Sequence, residues 1–173
     1  MPVFSGLDRH AARLRVMVAA AGVALALGPG IAYGQTIELR SADGGARTLD
    51  RSTLAAMPQA EVVLDDHGET ARYEGVPLVA LARLAGAPTG EGMRGAAALS
   101  TILLLRAADG YRVVLAVSDV DPSIRPDGAI LALTKDGRDL DAHEGPYRAV
   151  IGGDARPARS ARQVTAIEVQ AVP

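Results

Sequence analysis

Tyr73-Glu-Gly-Val-Pro-Leu78 reads as an extended segment handed directly to a helix. Pro77 suits the first helical turn, Leu78, Leu81 and Leu84 recur at helical spacing, and Gly86 stands where a left-handed C-cap is wanted. The stretch therefore predicts a strand over 69–73 and a helix over 77–85. Taken alone, a glycine turn and an N1 proline can start any helix, so its weight depends on what lies on either side.

Upstream, Asp43-Gly44 sits between two apolar runs and predicts a hairpin of strands over 36–40 and 46–49. A short helix follows, with Asp50 or Ser52 as N-cap and its end before Pro58. A strand over 61–64 then turns back through Asp65-Asp66-His67-Gly68. Downstream, residues 87–95 are glycine-rich and aperiodic and read as a connecting loop. Strands over 101–106 and 111–117 pair around Asp109-Gly110. The unbroken apolar run at 102–105 predicts a central strand covered on both faces. Ser118 is expected to cap a short turn through Pro122. A further hairpin over 129–134 and 138–140 surrounds Asp136-Gly137, and strands over 148–151 and 163–170 flank a loop at 152–159. Many short strands with one or two helices predict an α+β fold on a mixed, largely antiparallel β-sheet with short helices.

The first 34 residues stand apart. Arg9, Arg13 and Arg15 precede an apolar run, 16–27, which ends at Gly28-Pro29-Gly30. This is the pattern of a secretory signal peptide. Ala32 and Gly34 offer small residues for the cut, placed after Gly34 or alternatively after Ala32. The apolar run is short for a membrane span, so no span is expected after cleavage, and a periplasmic or secreted location by a Sec-type route is. Residues 35–173 then form a single domain with enough chain for one real core.

The full chain carries 18 basic and 20 acidic residues, and removing Arg9, Arg13, Arg15 and Asp8 leaves the mature part at a net charge of −4. Such a surface gives no general attraction to phosphate backbones. The only aromatic residues beyond 34 are Tyr73, Tyr111 and Tyr147, too few for base-stacking platforms, so nucleic acid is not an expected partner. The absence of cysteine excludes a disulfide framework and any thiolate metal site.

Three segments in order, Tyr73-Glu-Gly-Val-Pro-Leu78, Ala108-Asp-Gly-Tyr111, and Gly145-Pro-Tyr-Arg148 leading to Ser160-Ala-Arg162 and Ile167-Glu-Val169, resemble the oxidoreductase molybdopterin-binding domain. This is the fold of sulfite oxidases and their bacterial relatives. The resemblance covers about two-thirds of the mature chain and draws its specificity from the ordered set, since each piece alone is weak. It implies a sulfite oxidase-like fold with molybdopterin as the associated cofactor. The family's Pro-Leu-Arg and Ser-x-Lys-Trp elements read here as Pro146-Tyr147-Arg148 and Ser160-Ala161-Arg162-Gln163. The resemblance nominates Arg162 and Ser160, with Arg148, for the pterin phosphate. Arg148 equally suits a structural pair with a carboxylate. Active relatives hold molybdenum through a cysteine that falls loosely at 61–66, where this chain reads Glu-Val-Val-Leu-Asp-Asp. They are also commonly exported folded behind twin arginines, where this chain has Arg13-Leu14-Arg15. Both departures count against oxygen-atom transfer at molybdenum, so no cofactor is expected.

Four arginines, Arg148, Arg156, Arg159 and Arg162, fall close together with only Asp154 among them. Guanidinium forks and loop amides suit phosphate or carboxylate, although a charge cluster is more commonly a solvated face. Asp139, Asp141 and His143 would share one face if extended, but with two histidines in the mature chain and no paired-His spacing no metal site is expected. No Gly-x-Ser-x-Gly elbow appears and no serine is tied to His67 or His143, so no catalytic residue is nominated. The three tyrosines, core or rim residues in the simplest reading, could also line a common cleft. Three functions remain open: an exported non-catalytic domain that binds a small anionic ligand or an unknown periplasmic protein; a molybdopterin-dependent oxidoreductase subunit that holds its metal without cysteine; and a small-anion binding protein built on the arginines.

Overall fold

A computed structural model describes residues 35–66 and 68–172; the expected signal peptide and its two cut sites lie outside the described residues. The first hairpin joins β1, Thr36–Arg40, to β2, Ala46–Asp50, with Gly44 at positive φ in its turn. Asp50 ends β2 and caps α1, Arg51–Ala55, its carboxylate accepting Thr53 N–H at 2.7 Å. That contact holds the Asp50 pKa down at about 2.

The next hairpin is longer than its apolar runs suggest, pairing β3, Ala60–Asp66, with β4, Glu69–Pro77. Pro77 closes β4 and occupies the N-cap of α2, Leu78–Leu84, rather than its first turn. Gly75 has a packing reason to be glycine, because a Cβ there would overlap the Leu131 carbonyl and lie 2.6 Å from Ala132 Cα. The expected loop at 87–95 contains one 3-10 turn, Gly90–Gly92, and is followed by α3, Ala96–Leu99. The turn is tied down by Asp121, a buried side chain that accepts Gly90 N–H.

The remaining strands are β5, Thr101–Ala107, β6, Arg112–Ala116, β7, Ala129–Lys135, β8, Arg138–Asp139, β9, Arg148–Ile151, and β10, Val164–Ala171. Helix α4, Val117–Val120, follows β6, and Asp119 rather than Ser118 caps it by accepting Ala116 N–H. The Asp-Gly pairs at 43–44, 109–110 and 136–137 each turn a hairpin, and Asp136 and Gly137 are both at positive φ.

These strands form two sheets rather than one, in the orders β2-β1-β10-β5-β6 and β3-β4-β7-β8, with β9 also on β7. Only β1 with β10 is parallel. The α+β, largely antiparallel architecture is thus the one the turn signals dictate. β5 lies between β10 and β6, but only one of its faces is buried. Ile102 and Leu104 on the other face are half-covered, a correction to the two-sided burial expected of that apolar run.

The main core lies where the inner faces meet, with Ile37, Leu103, Leu105, Leu131, Tyr147 and Ile167 in one cluster. Strand alternation sends Ile130, Ala132 and Val150 to the opposite face of the second sheet. There they join Val62, Leu64, Ala71 and Tyr73 in a smaller core. β3 also contacts β9, so β3, β4, β7 and β9 curl around this second cluster.

Candidate functional site

Alternation along β3 continues the inward stripe of Val62 and Leu64 to Asp66, and along β9 it places Arg148 on the same side as Val150. A carboxylate and a guanidinium therefore meet at one end of the smaller core. Arg148 is only 1% exposed. Its Nη1 donates to Tyr73 Oη at 2.7 Å and Glu144 Oε1 at 2.8 Å, and its Nη2 donates to Asp66 Oδ2 at 2.9 Å. Burying a guanidinium is tolerable only with such pairing. Its Nε is buried with no partner among the described residues.

Glu144, also buried, accepts from Tyr73 and from Lys135 Nζ at 3.1 Å. The Tyr73 ring lies against both cations, 5.0 Å from Arg148 Cζ and 5.6 Å from Lys135 Nζ. Burial raises the Tyr73 hydroxyl pKa against the pull of Arg148, so the group stays a neutral donor. For Lys135 burial lowers the pKa, but the bonds to Glu144 and Tyr73 outweigh it and the net shift is upward.

Arg162 closes the network from the other side. Its Nη2 donates to the same Asp66 Oδ2 at 3.0 Å, and its Nη1 stands 2.8 Å from His143 Nε2, a contact that requires that nitrogen to be unprotonated. The Arg148 bond, followed by the Arg162 bond, holds the Asp66 carboxyl below its ordinary range.

A second network fixes the loop between β9 and β10. Arg159 grips Asp154 with Nε at 2.8 Å and Nη2 at 2.6 Å and reaches Asp119 at 3.0 Å, while Arg125 bonds Asp154 and the Gly152 carbonyl, both at 2.9 Å. Arg159, then Arg125, lowers the Asp154 pKa. Ser160 is buried and its hydroxyl accepts Ile151 N–H at 3.0 Å, which pins the end of the loop to β9.

Between these networks opens a cleft of about 890 Å3. The end of β3 supplies Asp65 and Asp66 and the turn after it Gly68, the β5–β6 turn supplies Asp109 and Tyr111, and the rest of the wall is Arg148 and residues of the loop from Asp154 to Arg162. The structure thus brings Arg148, Ser160 and Arg162 to one cleft, while Arg159 reaches it through Asp154. The solvated face suggested by the arginine cluster is replaced by ion pairs with Asp66, Asp119, Asp154 and Glu144. Arg156 alone of the four has no partner among the described residues.

The tyrosines do not share this cleft. Tyr73 and Tyr147 are buried in different cores, and only Tyr111 lines the wall, with its hydroxyl on Ala158 O at 2.9 Å. Asp139, Asp141 and His143 also part company. Asp139 pairs with Arg51, Asp141 accepts the His143 and Glu144 N–H groups, and His143 meets Arg162. Among the described residues no group of three or more such side chains is placed to hold a metal ion. No helix among them is long and apolar enough to cross a membrane. Sequence reasoning missed Asp66, Glu144 and Lys135. An aspartate ending the inward-facing Val62, Leu64 stripe was the available signal for the first.

No family model matches this sequence. No curated protein matches it either. Among solved structures, the chain is similar in fold to the sulfane dehydrogenase SoxCD from Paracoccus pantotrophus, with a TM-score of 0.59 and 16% identity. The match covers 78% of this chain and 38% of that one, so this chain spans well under half the length of its structural neighbour. At this identity the likeness is one of fold alone.

Proposed function

We propose that this chain is an exported, non-catalytic domain with the molybdopterin-binding fold, serving outside the cytoplasm as a module that binds a ligand or a protein partner at its cleft. One observation carries this reading. The candidate phosphate-binding side chains are already engaged by the protein's own groups: those the family resemblance nominates, Arg148 by Tyr73, Glu144 and Asp66, Arg162 by Asp66 and His143, and Ser160 by Ile151 N–H, and from the arginine cluster Arg159 by Asp154 and Asp119.

Molybdopterin itself does not fit the residues present. The cleft wall includes four carboxylates, Asp65, Asp66, Asp109 and Asp154, which oppose a phosphate. The chain also has no cysteine to offer molybdenum the soft thiolate that its relatives use. The fold is kept, and the donor set its chemistry needs is not.

Arg156 favours a second reading. It lines the cleft without an ion-pair partner and could anchor a small anion.

Metal and pterin analysis of protein purified from the cell that produces it tests the main reading. No stoichiometric molybdenum or pterin is expected, and finding either at one per chain would overturn it. If neither is found, a thermal-shift screen of small anions and an Arg156→Ser variant separates the two readings, since binding to the native state alone raises the melting temperature.

A further inference from the structure

We propose that Asp66 is a built-in anion that closes an oxyanion site in the cleft, and that removing its charge opens that site to phosphate or sulfate. Arg148 comes from β9 and Arg162 from the loop before β10, yet one Nη2 of each converges on the same Asp66 oxygen, at 2.9 and 3.0 Å. Two guanidinium groups meeting on one oxygen is how proteins hold a phosphoryl or sulfuryl oxygen. Here the oxygen belongs to the chain.

Within the ion-pair network the balance is cationic once Asp66 is discounted, while Asp65, Asp109 and Asp154 remain on the cleft wall. Arg148, Arg162 and Lys135 are set against two carboxylates, Asp66 and Glu144. Glu144 would keep Arg148 in place through Nη1 and would hold Lys135, so losing Asp66 frees Nη2 of both arginines without unpinning the buried one. Both arginines line the cleft, and the Asp66 and Arg162 side chains are 17% and 39% exposed, so a small anion can reach the vacated position from solvent. A tetrahedral oxyanion suits donors that approach from two different strand ends.

This rests on the non-catalytic reading in one respect, since a resident cofactor would occupy the cleft that Asp66 closes. The test compares wild type, Asp66→Ala, Asp66→Asn and Asp66→Ala/Arg162→Ser by isothermal titration with inorganic phosphate and with sulfate, alongside thermal shift. Removing one close like charge should tighten phosphate binding by at least about ten-fold. At phosphate about ten times the resulting Kd, the melting temperature of Asp66→Ala should rise by about 4 °C, and the double variant should lose the effect. Asp66→Asn removes the charge but keeps the side chain's size and a hydrogen-bond acceptor for the arginines, so the measurement survives if Asp66→Ala fails to fold. Equal phosphate affinity in wild type and Asp66→Ala would overturn the proposal, as would no binding by a folded Asp66→Asn. Molybdenum in the native protein would instead overturn the functional reading, whatever the variants do.

Discussion

Substituting Arg148 by methionine and Glu144 by leucine, singly and together, tests whether the buried network is held by mutual compensation of charge. In Glu144→Leu, Arg148 keeps Asp66 and the Tyr73 hydroxyl but loses its most buried anion. Removing one partner of a buried pair typically costs 3–5 kcal/mol, because the other charge stays behind. Asp66 still offsets part of that charge, so the expected cost is the lower bound, about 3 kcal/mol. Arg148→Met leaves Glu144 with Lys135, whose side chain is 37% exposed, and methionine fills most of the vacated volume; about 2.5 kcal/mol is expected. In the double variant no buried charge is orphaned, and replacing a buried pair by apolar groups is often close to neutral. The expected cost is about 2 kcal/mol, well short of the singles combined, a coupling of about 3.5 kcal/mol. The chain has no tryptophan, so urea unfolding is best followed by far-UV circular dichroism at constant m-value. Costs that add to within about 0.5 kcal/mol, or single variants that each lose under about 1 kcal/mol, would refute the compensation argument.

Acid should destabilise the fold through Asp66 and Asp154, both held below the ordinary carboxylate range by arginine hydrogen bonds. Their contribution is full above the unfolded pKa, near 4, and is lost as pH falls through the lower folded values. Urea midpoints should be flat between about pH 7 and 5 and drop below about pH 4, less steeply in Asp154→Asn; a midpoint unchanged at pH 3 would contradict this. Gly75→Ala should cost at least about 3 kcal/mol, since its Cβ meets backbone of β7 that cannot swing aside. A variant unfolding within about 0.5 kcal/mol of wild type would mean the β4–β7 approach is looser than the structure has it.

The hairpins were legible because their cause is local. An Asp-Gly pair adopts the positive φ that a tight turn needs whatever the rest of the chain does, and Gly44, Gly110 and Gly137 all take it. The parallel pairing of β1 with β10 was not legible, since it joins residues such as Leu39 and Ile167 whose side chains say only that each strand buries a face. The length of β4 was obscured for a similar reason. Glu74 and Gly75 break the apolar alternation, and the register shift between them absorbs the break within the strand. At the site, the arginines were visible and their partners were not. Asp66 lies on another hairpin and reaches Arg148 only because β3 curls back towards β9. Residue type names one half of an ion pair, and the fold chooses the other.

That choice couples the cleft to the stability of the domain. The polar network is at once the floor of the cleft and the cap on the open end of the smaller core, with Tyr73 belonging to both. No residue in it can be changed for binding alone. Asp66→Ala should therefore unfold more easily than wild type in a buffer free of phosphate and sulfate, because Arg148 is left with Glu144 as its sole carboxylate. An oxyanion entering the vacated position supplies the missing charge to the same two guanidinium groups and should restore the lost stability. A ligand bound only to the native state stabilises it in proportion to RT ln(1 + [L]/Kd). The urea midpoint of Asp66→Ala should climb towards the wild-type value with phosphate, while wild type, already supplied with its own anion, gains little. A variant as stable as wild type without phosphate would break the link between the cap and the cleft.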